Sequence, residues 1–228
     1  MPYPIGSDDL TFVAAPLIHY QLSGTKRYFE LLGNKVFINV LNHENWDFGP
    51  KVVYRFGRGG GVEDDVVNKM IAVDDSVEVG AFLGYRKMFG NDIRHQMNIH
   101  FDVTQDVADG HGGLVAQFSG IYWLPVATKL DIGLRGSVLY ASEDYMSSFF
   151  DVTASDAALS GLPQFDADAD FRDVGIALMG MWHLNQAWHI ADGFDYKLLL
   201  GDAADSPVVD QRGDENQISA GVSLLYSW

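Results

Sequence analysis

Seven histidines among 31 acidic side chains are the residues of this chain that could support chemistry. Five of them have informative surroundings. His95 lies on the apolar face of an alternating segment, His100 lies near an aspartate, and His111 precedes two glycines. His183 and His189 flank a short turn. A Ser-His-Asp hydrolase requires a positioned nucleophile, and no G-x-S-x-G motif occurs. We therefore predict no catalytic residue and interpret these histidines as polar groups of an interface or an interior.

Two further segments could bind ions or phosphates. Asp166, Asp168 and Asp170 alternate like the start of an EF-hand loop, but no glycine follows at the sixth position and no glutamate at the twelfth. The glycine-rich segment 57–61 lacks the lysine and the serine or threonine of a phosphate-binding loop. We predict that the acidic run is a solvated loop and that the glycine-rich segment is a flexible hairpin loop. We predict neither a metal nor a cofactor.

The elements that carry these residues are strands with alternating side chains. In 217–228 the even positions are apolar and include Ile218, Val222, Leu224 and Tyr226, whereas the odd positions are mostly small and polar, and the chain ends on Trp228. A strand of a transmembrane barrel has this pattern, because its outer face meets lipid and its inner face a polar lumen. The even-numbered residues are predicted to face outward.

The same period-2 pattern recurs along the chain, with Asp192 as the clearest violation on an apolar face. Strands of about 9–11 residues suit a tilted membrane crossing. The sequence predicts an all-β fold, a single transmembrane antiparallel β-barrel over 1–228. We expect eleven strands, or ten if the second and third merge across Gly33 and Asn34, at 10–22, 26–31, 34–41, 48–57, 75–88, 94–106, 113–124, 129–142, 172–184, 187–200 and 216–228.

Charge separates the loops from the interior. The net charge of −16 concentrates in 143–173 and 201–215, which excludes nucleic acid as a plausible partner because phosphates require a basic surface. The residues expected in the lumen have mixed signs, and we predict ion pairs of four bases with four acids: Arg86, Arg94, Arg135 and Lys197 with Glu78, Asp102, Asp131 or Asp195. The chain has no cysteine, no run of 18 apolar residues and no signal peptide pattern.

Several blocks resemble the MipA/OmpV (MltA-interacting protein) family of outer-membrane proteins. They include Y-P-I-G-S-D-D at 3–9, H-G-G at 111–113, and L-L-G-D-A-A-D-S-P-V-V at 199–209. Asp151 stands where the family usually has glycine. The residues that match the family signature, to which we assign a structural role, are Tyr54, Arg55, Gly57, Arg58, Ser160, Gly161, Gly201, Asp202, Ala203, Asp205, Ser206 and Pro207.

The resemblance implies a non-enzymatic barrel in the outer membrane of a Gram-negative bacterium, in contact with lipid and lipopolysaccharide. It implies a scaffold for a lytic transglycosylase and a penicillin-binding synthase. A surface adhesin or osmotic-response protein and a narrow solute channel are the alternatives. Short turns at 90–93, 125–128 and 185–186 would face the periplasm, and the loops at 58–74, 107–112, 143–172 and 201–215 the outside.

The resemblance also implies twelve strands, the first of which would precede Tyr3 and is absent here. Without it, the segments 12–20 and 219–226 run in the same direction and cannot pair as antiparallel neighbours. We therefore expect an open or poorly closed seam between them, and poor membrane insertion, because unpaired backbone groups are costly in lipid.

Overall fold

The computed structural model describes residues 11–13, 17–58 and 64–226, and in them twelve strands form one sheet. The strands are β1 (Thr11–Val13), β2 (Leu17–Gln21), β3 (Tyr28–Leu32), β4 (Lys35–Asn39), β5 (Trp46–Arg55), β6 (Ser76–Met88), β7 (Gln96–Asp106), β8 (Leu114–Ala127), β9 (Leu130–Ala141), β10 (Asp170–His183), β11 (Trp188–Leu199) and β12 (Asn216–Tyr226). The connections contain the helices α1 (Glu143–Phe150), α2 (Ala154–Ser160), α3 (Gly201–Asp205) and α4 (Pro207–Asp210), and a 3-10 turn at Val67–Lys69.

The strands from β2 to β12 form an antiparallel meander that curls into a nearly closed barrel. The predicted fold class is therefore confirmed. The ten-strand alternative is wrong, because β3 and β4 are separate strands that pair antiparallel from Tyr28↔Asn39 to Leu32↔Lys35. Glycine explains the tight connection between them, since Gly33 has a positive φ of 60°.

The seam of the barrel lies between the first and the last strands. The predicted segment 10–22 is described as β1 and β2, and β1 pairs with β12 in parallel over three residues, Thr11↔Ser219 to Val13↔Gly221. No ladder joins β2 to β12 in the described ranges. The expected same-direction seam is thus present, and a short parallel ladder spans part of it.

Side-chain alternation sets which face each strand turns outward. In β12, Val222 is 63% and Leu224 58% exposed, whereas Ser219 and Ser223 lie on the opposite, less accessible face. The predicted orientation of this strand is confirmed over 216–226, and Trp228 lies outside the described residues. Asp192 also points outward, as its position in the alternation requires, and accepts a hydrogen bond from Trp182 Nε1 at 3.1 Å.

The two long acidic loops contain helices, which the sequence analysis did not anticipate. Thr153 begins α2 with a capping box, in which its hydroxyl accepts from the backbone N–H of Asp156 while the Asp156 carboxylate accepts from the backbone N–H of Thr153. Gly161 ends the helix at a φ of 82°. Pro207 occupies the first turn of α4. Helices of four to eight residues span one or two turns, too short to show a 3.6-residue period.

The two ends of the barrel therefore differ. We call the end that carries these loops the cap end, and the end with the connections 89–95, 128–129 and 184–187 the turn end. At the cap end the loops form a compact cap with two apolar clusters. The buried residues of these two clusters include Val67, Met70, Tyr145, Met146, Phe149, Phe150, Val152, Leu162, Ala203, Val208 and Val209. Among the described residues, no helix has the length and hydropathy of a membrane span.

Candidate functional site at the two ends of the barrel

The cap is joined to the barrel interior by Tyr145 of α1. Its ring is fully buried and packs against two guanidinium groups, with the Arg55 Cζ 5.1 Å and the Arg172 Cζ 5.4 Å from the ring centroid. Arg172 also donates to the Tyr145 hydroxyl and pairs with Asp173. A bulge between Phe171 and Asp173 turns Arg172 inward. These two cation–π contacts hold α1 at the mouth of the barrel.

Next to Arg55, Glu78 is the centre of a buried polar network. Its carboxylate contacts Arg55, accepts from Thr104 Oγ1 at 2.6 Å and meets His111 Nε2 at 3.1 Å. His111 packs its ring against Tyr145, with the two ring centroids 4.9 Å apart. Burial of a charge is tolerable only with such partners. The histidine interpreted as a loop residue is therefore a buried link between cap and barrel.

The signature block at 199–209 forms the base of the cap. The Ser206 hydroxyl donates to the Phe150 carbonyl at 2.5 Å, and Ala203 is fully buried. A side chain at Gly201 would meet the Asp170 carboxylate at 2.0 Å, and its φ is +49°. Ser206 also caps α4, and the exposed Asp205 borders it. Such contacts give this block a place in packing the mouth, which is what its structural interpretation requires.

Three other signature residues hold the chain after β5 to Asp75 and to α1. Tyr54 donates from its hydroxyl to Asp75 at 2.5 Å, and the Gly57 N–H donates to the same carboxylate at 2.8 Å. Arg58 is buried and donates to the Phe149 carbonyl at 2.8 Å. The segment 59–61 of the glycine-rich loop lies outside the described residues.

Asp156 links α2 to the neighbouring loop. It accepts from the backbone N–H of Ile71 at 2.7 Å and from Thr153 Oγ1 at 2.6 Å. Burial opposes its ionisation, but these hydrogen bonds, together with the charge of Arg58, lower the pKa of Asp156 below its usual value. Ser160 donates to its backbone carbonyl at 2.6 Å. The charged form of the Asp156 carboxylate therefore holds α2 against the loop that contains Ile71.

Two of the ion pairs expected in the lumen are present. Arg94 Nη1 lies 2.9 Å from Asp131, and Arg135 Nη2 lies 3.2 Å from Asp195. All four side chains point into the barrel and are less than one third exposed. The alternation placed these residues on the correct face, and their partners were among those proposed.

The other charges expected in the lumen either pair with residues that were not predicted as their partners or take part in none of the ion pairs of the described residues. Arg86 Nη2 lies 3.4 Å from Asp47, which was not among the acids proposed for it. Asp102 pairs with Lys51, both of them buried. Lys197 lies beside Gly175 and takes part in none of the ion pairs found among the described residues. Alternation predicts the face of a residue, whereas its partner depends on the register between strands.

At the turn end, two histidines meet in a way that the sequence analysis missed. His183 and His189 were interpreted as interface residues, but they are register partners on β10 and β11 and both face the interior. Their Nδ1 atoms are 2.8 Å apart, and His183 Nε2 lies 2.7 Å from Asp131. They line a cavity of about 330 Å³. The available signal was that the two histidines flank a predicted hairpin connection with only five residues between them.

The acidic run at Asp166, Asp168 and Asp170 has no cation-binding geometry. Asp166 and Asp168 are exposed, and the Asp168 N–H donates to Asp202 at 2.7 Å. Over the described ranges, no group of three or more His, Cys, Asp or Glu side chains is arranged to hold a metal ion.

The geometry defines a class of protein: an antiparallel β-barrel with an apolar outward face, a charged interior and one end closed by a helical cap. The chain matches the family model described as MltA-interacting protein MipA over residues 2–228. It therefore belongs to the MipA family. No significant match to the chain was found among curated proteins.

Proposed function

We propose that this protein is a non-enzymatic, non-conducting barrel of the outer membrane that acts as a scaffold at its turn end. The outward band supports the location, because large apolar side chains remain exposed around the barrel. Representative members are Phe48, Leu83, Phe101, Phe118, Leu134, Ile176, Leu178, Phe194, Val222 and Leu224. Monomeric soluble proteins rarely expose apolar patches of more than a few hundred Å², whereas a lipid-facing band is continuous.

Aromatic residues near the turn end support the same location. Outward-facing Trp46, Tyr122, Trp182, Trp188 and Tyr226 are each between 41% and 48% exposed. Four of them lie at or next to the turn-end terminus of their strand, and Tyr122 lies five residues before the end of β8. Tyrosine and tryptophan favour the interface between hydrocarbon and water. We infer that this girdle marks one membrane surface, and that the turn end faces the periplasm.

The closed cap is the observation that carries the functional proposal. Tyr145, Arg55 and Arg172 fill the mouth, and the apolar clusters of the cap pack above them. Deeper in the lumen, ion pairs such as Lys51–Asp102 occupy the interior. A barrel of this strand number is far narrower than the 16-stranded porins, which leave an aqueous channel. A solute path would have to break several buried contacts, which favours a scaffold over a channel.

The periplasmic partners are proposed to be a lytic transglycosylase and a penicillin-binding synthase. The name of the family model, MltA-interacting protein, supports an interaction of this kind. The turns offer exposed apolar side chains as contacts: Ile93 is 73% and Leu184 50% exposed. The fully buried centre of a protein interface is more apolar than its rim.

Affinity capture from crosslinked bacterial envelopes tests the scaffold. The wild-type protein should retain the lytic transglycosylase, and Ile93→Asp with Leu184→Asp should reduce its recovery at least tenfold. Leu159→Asp is the matched control, because Leu159 is 57% exposed on α2 at the cap end and should not affect capture. Equal recovery by all variants, or no recovery by the wild type, would reject the scaffold.

Single-channel recording tests the closed interior. The wild-type barrel should show no conductance steps in a planar bilayer, whereas Tyr145→Ala, which removes the ring that packs against the two guanidiniums, should show them. Stable conductance of the wild-type barrel would favour the narrow channel instead. Binding of whole cells to host matrix through the acidic cap would favour the adhesin.

A further inference from the structure

We propose that His183 and His189 bind one divalent transition-metal ion, of the class that prefers imidazole nitrogen (Cu²⁺ or Zn²⁺), inside the turn end of the barrel. The proposal adds a metal site to a protein for which only a scaffold role is proposed above. It does not depend on that role, since it is argued from the side chains of two adjacent strands.

The two imidazoles face each other through the same ring atom. His183 on β10 and His189 on β11 are direct register partners, with ring centroids 4.9 Å apart and planes at 84°. Their Nδ1 atoms are 2.8 Å apart, a hydrogen-bond distance that only one N–H can occupy. One proton is therefore shared between two nitrogen atoms, each of which is a good metal ligand when deprotonated.

Asp131 determines which nitrogen of His183 is available. The Asp131 carboxylate lies 2.7 Å from His183 Nε2, so it accepts the Nε2–H and leaves the Nδ1 lone pair directed at His189. The shared proton then belongs to His189 Nδ1. A metal ion that binds both Nδ1 atoms displaces this proton, which the neutral imidazole of His189 then carries on Nε2, so that no net proton is released.

The spacing requires little movement to admit an ion. Metal–nitrogen bonds of about 2.0–2.1 Å at a tetrahedral angle place two nitrogens roughly 3.3 Å apart. The Nδ1 atoms would separate by roughly half an ångström from their 2.8 Å contact. Each ring would also turn so that its Nδ1 lone pair points at the ion rather than at the other nitrogen.

The residues around His183 resemble the hydrogen-bonded carboxylates that orient histidine ligands in metal sites. Asp131 accepts from Arg94 Nη1 at 2.9 Å, and Arg94 Nη2 lies 2.8 Å from Asp92. A carboxylate that accepts the second N–H of a ligating histidine orients the ring and raises its basicity. Here the carboxylate is itself oriented by an arginine. His183 on β10 is thus prepared for coordination by residues of two other segments, β9 and the connection 89–95.

The cavity supplies the rest of the coordination shell. It has a volume of about 330 Å³ and is also lined by Gln96, Trp123 and Met181, which leaves room for water ligands. Since no third histidine or carboxylate completes the site within the described residues, the protein provides two ligands and water the others. We expect an exchangeable ion, with Cu²⁺ bound more tightly than Zn²⁺.

The test uses the full chain, refolded in detergent without a histidine tag and checked for heat-modifiable migration. Titration with CuCl₂ followed by calorimetry should show one ion per barrel. Electron paramagnetic resonance of the copper complex should show coupling to two equivalent imidazole nitrogens. That spectrum comes from the wild-type protein, so its absence overturns the proposal even if a variant fails to fold.

Variants assign the nitrogens. His183→Asn and His189→Asn should each weaken copper binding at least tenfold, and Asp131→Asn, a positioning residue, should weaken it less and shift its pH dependence. His95→Asn is the matched control, because His95 lies near the same end of the barrel but contacts Tyr122. Binding that His95→Asn reduces and His189→Asn leaves unchanged would overturn the site.

Discussion

Replacing Glu78 with glutamine should destabilise the barrel strongly although it changes one oxygen into an amide nitrogen. Glu78 is fully buried and is the counterion of Arg55, and it also accepts from Thr104 and meets His111. Breaking a buried ion pair by removing one partner costs about 3–5 kcal/mol. Because the Arg55 side chain retains 19% exposure, water offsets part of this cost, and we expect a loss of about 3 kcal/mol.

The matched control is the same substitution at an accessible pair. Glu30 lies 2.9 Å from His19, and the two side chains are 31% and 40% exposed. Exposed pairs contribute about 0–1 kcal/mol, so Glu30→Gln should leave stability nearly unchanged. Urea unfolding of the refolded barrel, followed by tryptophan fluorescence, measures both. The predicted difference is roughly 100-fold in the ratio of folded to unfolded protein. Equal midpoints for the two variants would refute the assignment of a central role to the Glu78 network.

Three further perturbations test the cap and the outward face. Asp156 has a lowered pKa in the folded state, so its stabilising effect is complete above its ordinary pKa of about 4 and is lost as the pH falls through the lower pKa of the folded state. Amide exchange in α2 should accelerate as this stabilisation is lost, and Asp156→Asn should remove the pH dependence. Gly113→Ala would place a methyl group 2.4 Å from the Tyr145 nitrogen and should expose the cap to protease, whereas Gly136→Ala meets nothing within 4 Å and should not. Asp192→Asn should leave stability in phospholipid vesicles unchanged or higher, since a carboxylate facing lipid is unfavourable; a loss as large as that expected for Glu78→Gln would contradict lipid contact there.

Local alternation was sufficient to predict the strands and their faces. A period of two places successive side chains on opposite faces whatever lies across the sheet. The pattern in 217–226 therefore predicts the outward direction of Val222 and Leu224 directly. It also identifies Asp192 as a polar residue on an apolar face, and the structure places it there with Trp182.

The identity of each interior partner was beyond local pattern. Arg86 meets Asp47 because β5 and β6 pair in one particular register, and a shift of one residue would turn one of the two side chains outward. Register depends on hydrogen bonds and packing along whole strands, and a single residue does not reveal it. The signature block at 199–209 was recognised by resemblance, but its packing against Phe150 follows from the assembled cap.

The sequence by itself determined an all-β barrel, its strand segments and its apolar outer face, because these depend on neighbours two positions apart. Tertiary structure alone decided that the acidic loops fold into a helical cap, since short helices such as α3 gain their stability from packing rather than from intrinsic propensity. It also decided that Tyr145 packs against Arg55 and Arg172, and that the Nδ1 atoms of His183 and His189 lie 2.8 Å apart. The Tyr145 contacts join a cap helix to β5 and β10, which are not neighbours in the sheet, so closure of the barrel is needed to form them, whereas the histidine contact follows from the register between β10 and β11.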